Sequence, residues 1–240
     1  MSSSEAIGFR PLYRQIRDLL VQRIVDGVWA PGEALPAESR LARELEVSLG
    51  TVRKALDEMA AERLVVRRQG RGTYVARHDE RRVLFQFFKL KPDGGAAVFP
   101  ESRVLNVERG VATAEEAATL RLAAGAEVVR IARVRSLAGA PTVLEDIALP
   151  AALVPGLEQR PVPNNLYELF AVDYGLTIAR ATERLKAVAA EDRRAEHLEV
   201  AVGTPLLAVD RLAHAIDGRL AEWRLSVCRT DDTHYLSELR

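Results

Sequence analysis

The segment 35–74 limits the possible folds more than any other part of the chain. Two stretches with helical spacing of apolar residues are separated there by only three residues, Glu46-Val47-Ser48. The Arg- and Gly-rich stretch RRQGRGTYV follows directly at 67–75. A three-residue connection predicts two helices packed across a tight turn. The alternation around Gly70-Arg71-Gly72 predicts two short strands and a tip at which positive φ angles are permitted.

Three helices are expected before this hairpin. Apolar spacing predicts the first over Pro11–Asp26 and the second over about Glu38–Leu45. Ser48 is a good N-cap for the third, because its hydroxyl can accept a hydrogen bond from an unpaired amide of the first turn. The buried stripe expected on this third helix comprises Val52, Leu56 and Met59.

The outward face of the third helix is suited to contact DNA. Arg53 can donate paired hydrogen bonds to guanine, whereas Ser48, Thr51 and Lys54 are better placed for phosphates. The glycine tip, flanked by arginines, is small enough to approach a minor groove. A solvated helix face and a plain surface hairpin remain the alternatives. The predicted DNA-contacting residues are Arg40, Ser48, Gly50, Thr51, Arg53, Lys54, Arg68, Gln69, Gly70 and Arg71.

The charge distribution divides the chain into two parts. The net charge is zero overall, but residues 1–78 hold 13 Lys and Arg against 10 Asp and Glu, and residues 79–240 hold 21 against 24. A basic first part and an acidic second part favour a DNA-binding domain joined to a domain that does not touch DNA. Cys228 is the only cysteine, and no apolar run reaches the length of a membrane span. We therefore expect a cytoplasmic protein without disulfides or a membrane segment.

The second part of the chain has a mixed α/β pattern. We expect a DNA-binding domain at 9–76, a polar linker at 77–82 and a second domain at 83–240. The predicted elements of the second domain are strands at 83–90, 103–108 and 178–189, hairpins at 128–149 and 206–228, and helices from the Thr113–Glu116 capping box, at 166–174 and at 191–198.

The two long hairpins resemble each other. Each carries an early arginine, a glycine at the turn and a glutamate on the returning strand. These residues are Arg133, Gly139 and Glu145 in the first hairpin, and Arg211, Gly218 and Glu222 in the second. The shared pattern predicts a domain built from two related halves around one sheet.

Strand alternation predicts a pocket for a small anionic ligand. Arg133 and Arg135 are two residues apart and therefore project to one face. Asp217-Gly218 suggests a two-residue loop, and that register pairs Arg211 with Arg224 and Ala213 with Glu222. Guanidinium groups match carboxylate and phosphate, and a helix N-terminus also favours anions. Ordinary ion-pair ladders between strands are the alternative. The predicted pocket residues are Arg133, Arg135, Glu145, Asn165, Tyr167, Arg211 and Glu222.

Each of the two parts of the chain resembles a known protein family. The stretches PLYRQIRDLL, GVWAPGEALPAES, TVRKALDEM and RRQGRGTYV resemble the winged helix-turn-helix of GntR-type bacterial transcription regulators. Leu49 stands where many members have arginine, and Glu46 stands where glycine is common; a left-handed Glu46 would cost about 1 kcal/mol. The paired hairpins, LPAALVPGL and NNLYELF resemble the UTRA effector-binding domain of the HutC branch, which shares the chorismate lyase fold.

The resemblance implies a two-domain α+β regulator, with an N-terminal winged helix-turn-helix and a chorismate-lyase-like mixed α/β UTRA domain. Its expected function is that of a repressor, released from a palindromic operator as a homodimer when a phosphosugar, a phosphonate or a carboxylic acid binds. No cofactor or metal is expected. A constitutive DNA-binding protein without an effector is one alternative. An enzyme on the lyase-like domain is another, although the sequence lacks a P-loop, metal-ligand spacing and a GxSxG nucleophile turn.

Overall fold

The computed structural model describes residues 11–76, 88–94 and 100–237. The chain divides into two compact units, Met1–Ala76 and Arg77–Arg240. The predicted linker at 77–82, and residues 83–87 of the strand predicted at 83–90, lie outside the described residues. The described end of that segment forms a strand only at Leu90–Pro92, which pairs with Thr233–Tyr235.

The described part of the first unit, residues 11–76, contains three helices followed by a hairpin. The helices are α1 (Leu12–Val25), α2 (Glu38–Glu44) and α3 (Leu49–Ala61), and the hairpin strands are β1 (Val65–Arg68) and β2 (Gly72–Val75). The expected helices are present with ends within two residues of the prediction. The apolar stripe of α3 is completely buried, because it packs against α1 and α2 to form the core of this unit.

Local backbone geometry fixes the turn before α3. Glu46 has a φ of 52°, so a glutamate occupies the left-handed conformation that glycine adopts without strain. Ser48 caps α3 as expected, and its Oγ accepts a hydrogen bond from the Thr51 amide at 3.1 Å.

The tip of the hairpin lies one residue earlier than predicted. Gly72 belongs to β2, and Arg68 pairs with it across the strands, so the turn consists of Gln69, Gly70 and Arg71. Both glycines have positive φ, which explains how Gly72 can begin the strand. The segment before α2 extends the hairpin, because the Leu35 amide donates to the Thr73 carbonyl at 2.8 Å.

Among the described residues of the second unit, two strands form a small sheet and six form a large antiparallel one. The small sheet pairs β3 (Leu90–Pro92) with β10 (Thr233–Tyr235). The large sheet comprises β4 (Glu101–Val111), β5 (Glu127–Leu137), β6 (Ala140–Pro150), β7 (Ile178–Ala189), β8 (Pro205–Ala215) and β9 (Leu220–Cys228). Its strand order is β4-β5-β6-β9-β8-β7. The helices are α4 (Ala114–Leu120), α5 (Leu166–Asp173) and α6 (Asp192–Leu198), with short 3-10 helices at Ala151–Leu153 and Leu157–Gln159.

Helices cover the two faces of this sheet differently. On one face, α5 and the 3-10 helices pack over Ile131, Ile147 and Leu149, and Phe170 of α5 is completely buried there. On the other face, α4 and α6 each cover one half of the sheet through separate apolar clusters. No helix among the described residues combines the length and the apolar character needed to cross a membrane.

The expected internal repeat is visible in the order of elements. The first half runs β4-α4-β5-β6 and the second runs β7-α6-β8-β9. Arg121 and Glu199 end the two helices with the same angles, φ 54° and ψ 46°, and lie 78 residues apart. Arg133 and Arg211 are separated by the same interval, so they occupy equivalent positions on β5 and β8.

The two hairpin loops differ in length. The first has two residues, Ala138 and Gly139, both with positive φ. The second has three, because the Ala215 amide donates to the Arg219 carbonyl, and the predicted two-residue loop is wrong. A β-bulge beside Ala213 compensates for the additional residue. The predicted pairing of Arg211 with Arg224 and of Ala213 with Glu222 is therefore present.

Candidate functional site

The first unit presents an exposed basic surface around α3 and the hairpin tip. Of the ten residues predicted to contact DNA, nine are exposed and Thr51 is half-buried. Two of their cations lie over aromatic rings: the Lys54 Nζ is 4.1 Å from the ring centre of Tyr13, and the Arg68 guanidinium is 4.7 Å from that of Tyr74. Ring faces attract cations without neutralising them, so both side chains keep their charge available to an anionic partner.

Arg53 lies beside an acidic residue that sequence reasoning did not include. Its Nε donates at 3.1 Å to Oε2 of Glu38, the first residue of α2. Arg67 of the hairpin contacts the other oxygen of the same carboxylate, also at 3.1 Å. Glu38 thus joins the third helix to the hairpin.

The second unit buries a network of charged side chains at the centre of its sheet. Arg133 Nε donates to Glu145 Oε2 at 2.5 Å, directly across β5 and β6. Arg224 Nη1 reaches Glu145 Oε1 at 3.1 Å, and its Nη2 reaches Glu222 Oε2 at 2.7 Å. Tyr167, at the start of α5, donates to Glu222 Oε1 at 3.0 Å. Side chains from three strands and one helix therefore form one continuous hydrogen-bonded group.

A second ion pair lies beside this group on β8. Arg211 Nε donates at 2.6 Å to Glu183 of β7, the residue directly opposite it in the sheet. Tyr235 of β10 donates its hydroxyl hydrogen to the same carboxylate. The short C-terminal strand is thereby attached to the charged centre of the sheet.

Arg135 completes the arginine side of the site. Its guanidinium stacks 4.8 Å from the ring centre of Phe88 and approaches Glu145 to 3.9 Å. Burial, and then the neighbouring charge of Arg133, lower the pKa of Arg135 to about 9. The direction of this shift means that the surroundings disfavour the charged form of Arg135. A bound anion would stabilise that form.

The other buried groups show how the charges balance. Burial by itself would raise the pKa of Glu145, but Arg133, Arg224 and Arg135 outweigh it and lower that pKa below its usual range. Burial by itself would lower the pKa of Arg224, but the charges of Glu145 and Glu222 outweigh burial and raise that pKa well above its ordinary value. Burial raises the pKa of Tyr167 to about 12. All these groups therefore keep their ordinary ionisation at neutral pH.

A cavity of about 40 Å³ opens beside this network. The structure brings together the seven residues predicted for the pocket. Six line the cavity, and Glu222 lies behind it, completely buried and bonded to Tyr167 and Arg224. Asn165 is also the N-cap of α5, since its Oδ1 accepts from the Glu168 amide at 3.3 Å. One side of the wall comes from Phe88, Lys89, Leu90 and Tyr235, on the segments that form the two-stranded sheet.

The likeness of the two hairpins does not extend to their glutamates. Glu145 lies opposite Arg133, whereas the residue opposite Arg211 is Arg224, and Glu222 lies two residues away. Arg224, Glu183 and Tyr235 were absent from the predicted pocket. The predicted register already placed Arg224 on this face, but no sequence signal shows that β7 is the neighbour of β8.

Together these features define a class of protein: a winged helix-turn-helix unit of the kind that binds DNA, joined to a unit with a cavity lined by buried charged side chains. Comparisons with known proteins agree. Residues 12–75 match the model described as bacterial regulatory proteins, gntR family, and residues 97–234 match that of the UTRA domain. The chain belongs to the gntR family and carries a UTRA domain, as expected from its sequence. It is a transcription regulator and not an enzyme.

Similar proteins cover most of the chain. The mannosyl-D-glycerate transport/metabolism system repressor MngR of Escherichia coli is 30% identical and aligns over 94% of this chain and 95% of its own. The histidine utilization repressor of Pseudomonas putida is 31% identical over 85% and 82%. A crystal structure of the ligand-binding domain of a GntR-family regulator from Bordetella bronchiseptica is 39% identical, with a TM-score of 0.59 over 63% of this chain and 96% of that domain.

Proposed function

We propose that this protein is a repressor that a small anionic metabolite releases from its operator. Residues 9–76 bind DNA, 77–82 connect the domains, and 83–240 bind the metabolite and hold two copies together as a homodimer in the cytoplasm. Two symmetric copies would place two recognition helices on a palindromic site. The named repressors among its relatives support this proposal.

The observation that carries the proposal is the charge balance around the cavity. Positive side chains come from Arg133, Arg135, Arg211, Arg224 and Lys89, and the carboxylates that contact the arginines are Glu145, Glu183 and Glu222. Positive charge thus exceeds negative charge by two among these eight described residues. An anion bound at the cavity would offset this excess, and guanidinium forks suit phosphate and carboxylate oxygens.

The effector is a phosphosugar, a phosphonate or a carboxylic acid in this proposal. The relatives named for mannosyl-D-glycerate and for histidine utilization point to different chemistries, so their names do not choose among these classes. A cavity of about 40 Å³ has room for a few waters, so a larger ligand requires part of the wall to move. The wall at 88–90 is the candidate, because β3 pairs through only three residues.

The carboxylates give the pocket a second kind of recognition. Glu145 lines the cavity and accepts hydrogen bonds from two of the arginines, and a ligand hydroxyl or amine could donate to the same oxygens. Glu222 lies behind the cavity and would act by holding Arg224 and Tyr167 in place. Tyr167 and Asn165 would close the pocket from the first turn of α5. Such a site would distinguish a sugar phosphate from inorganic phosphate, because only the sugar has alcohol hydroxyl groups that can donate to the Glu145 carboxylate.

A thermal-shift screen tests the effector proposal. The full chain is heated with sugar phosphates, alkylphosphonates and hydroxycarboxylic acids, with the uncharged parent sugars as matched controls. A ligand that binds only the folded state raises the melting temperature. We expect a shift from an anion with the wild type and no shift with Arg135→Gln. The matched control is Arg130→Gln, on the same strand, since Arg130 bonds to Glu116 of α4.

The second measurement concerns release from DNA. A duplex selected by the protein from a random-sequence library is labelled, and the effector found in the screen is titrated into the complex. We expect loss of binding with the wild type and retention with Arg135→Gln. An effector that stabilises the wild type but leaves DNA affinity unchanged contradicts regulation by release. Equal shifts in Arg135→Gln and wild type contradict the pocket.

A further inference from the structure

Glu38 connects the two parts of the DNA-binding surface. It is the first residue of α2, and its side chain is 25% exposed. One carboxylate oxygen accepts from Arg53 Nε on α3 at 3.1 Å, and the other lies 3.1 Å from Arg67 Nη2 on β1. Both oxygens of one carboxylate are therefore used by arginines from two different elements.

Arg67 extends this connection to the backbone of the third helix. Its Nη2 lies 3.0 Å from Asp57 Oδ1 and donates to the Arg53 carbonyl oxygen at 3.3 Å. Arg67 is thus committed to contacts within the protein. It holds the hairpin against the side of α3 from which Arg53 projects.

The contact with Glu38 determines which part of Arg53 faces outward. The Arg53 side chain is 57% exposed, and a free arginine at such a position would sample many rotamers. Because the carboxylate binds Nε, the two terminal nitrogens are left for a second partner. Two parallel donors are what guanine O6 and N7 accept.

We infer that Glu38 is a positioning residue for sequence recognition, which orients the Arg53 guanidinium before DNA is bound. This inference rests on the proposed role of Arg53 as a base-reading residue. Loss of this positioning differs from a simple loss of charge, which changes affinity but not sequence preference. Removing the carboxylate removes a negative charge near the phosphates, so affinity for any duplex rises, while the preference for the selected sequence falls because Arg53 is no longer oriented.

The test compares Glu38→Gln with Glu44→Gln in the full-length protein. Glu44 lies on the same helix and pairs with Arg23 at 2.7 Å, away from Arg53, so the second variant has the same change of charge. Affinities are measured for a duplex selected by the wild type and for a scrambled duplex of equal length. We expect both variants to bind scrambled DNA more tightly. Only Glu38→Gln should lose selectivity, by about 3- to 10-fold per half-site.

A double-mutant cycle with Arg53→Ala separates positioning from direct contact. If Glu38 acts through Arg53, Glu38→Gln causes no further loss of selectivity in the Arg53→Ala background. A loss that persists there overturns the inference, because Glu38 would then contact the bases itself. Unchanged selectivity in Glu38→Gln, with normal loss in Arg53→Ala, also overturns it. If Arg53→Ala keeps full selectivity, or the wild type selects no sequence, the proposed role of Arg53 or the proposed function fails instead.

Discussion

The two functional regions of this protein handle positive charge in opposite ways. The DNA-binding unit keeps its arginines and lysine at the surface, where Arg53 is 57% exposed and Lys54 lies over the ring of Tyr13. The second unit buries Arg133, Arg135 and Arg224 almost completely. An exposed cation retains most of its hydration, whereas a buried cation needs carboxylates arranged around it. The first region can therefore accept a long polyanion, and the second is organised around one small site.

The largest expected effect follows from this difference in burial. Glu145→Gln removes a carboxylate that contacts Arg133 and Arg224, and we expect it to lower the free energy of unfolding of the second unit by about 3–5 kcal/mol. Glu44→Gln breaks the exposed pair with Arg23 and should cost the first unit at most about 1 kcal/mol. Urea unfolding, followed separately for each transition, measures both. Equal losses of unfolding free energy in the two variants would contradict the difference between buried and exposed charges.

The next effect concerns base recognition by the exposed region. If Arg53 reads a base as proposed, Arg53→Ala should lower the preference for the selected duplex by about 1–3 kcal/mol per half-site, because two hydrogen bonds to guanine would be lost. Competition titration against scrambled DNA measures the preference, and the melting temperature should stay within a few degrees. Arg184→Ala, an exposed arginine of the second unit, is the control. Unchanged sequence preference in Arg53→Ala would exclude Arg53 as a base-reading residue.

A third prediction concerns the contribution of Arg135 to stability. Burial and Arg133 lower the pKa of Arg135, so its charge is unfavourable in the absence of a ligand. Arg135→Met keeps an unbranched side chain that can pack against Phe88 and removes the charge. We expect the free energy of unfolding to be unchanged or to rise by about 1 kcal/mol, while the anion-induced thermal shift is lost. A clear loss of stability in ligand-free Arg135→Met contradicts this explanation.

The smallest effect is a pH dependence. The pKa of Glu145 is lower in the folded chain than its ordinary value of 4.5, so its contribution to stability is complete above that value. The contribution is lost as the pH falls toward the lowered pKa, because the unfolded chain then binds more protons. The difference in unfolding free energy between wild type and Glu145→Gln should be constant near neutral pH and shrink below about pH 4. A difference in unfolding free energy that grows on acidification would contradict a lowered pKa of Glu145 in the folded chain.

Local patterns predicted much of both regions. The three helices of the first unit and the Ser48 cap follow from short-range periodicity and capping chemistry. The pairing of Arg211 with Arg224 followed from the position of a turn and the alternation of a strand. The loop itself was predicted one residue too short, and a β-bulge restored the register. A bulge depends on how the neighbouring strands pack, and the sequence of the hairpin alone does not show that packing.

The sequence by itself determined the class of protein, the two halves of the second domain and the side chains that share one face of a strand, because these depend on spacings of a few residues. The tertiary structure decided which charges meet. Glu183 reaches Arg211 only because β7 lies beside β8, and Tyr235 joins them from the far end of the chain. Glu38 reaches Arg53 because α2 packs against α3, and the turn that joins these helices has a positive φ at Glu46. Such contacts depend on how distant elements pack, and no local propensity encodes that choice.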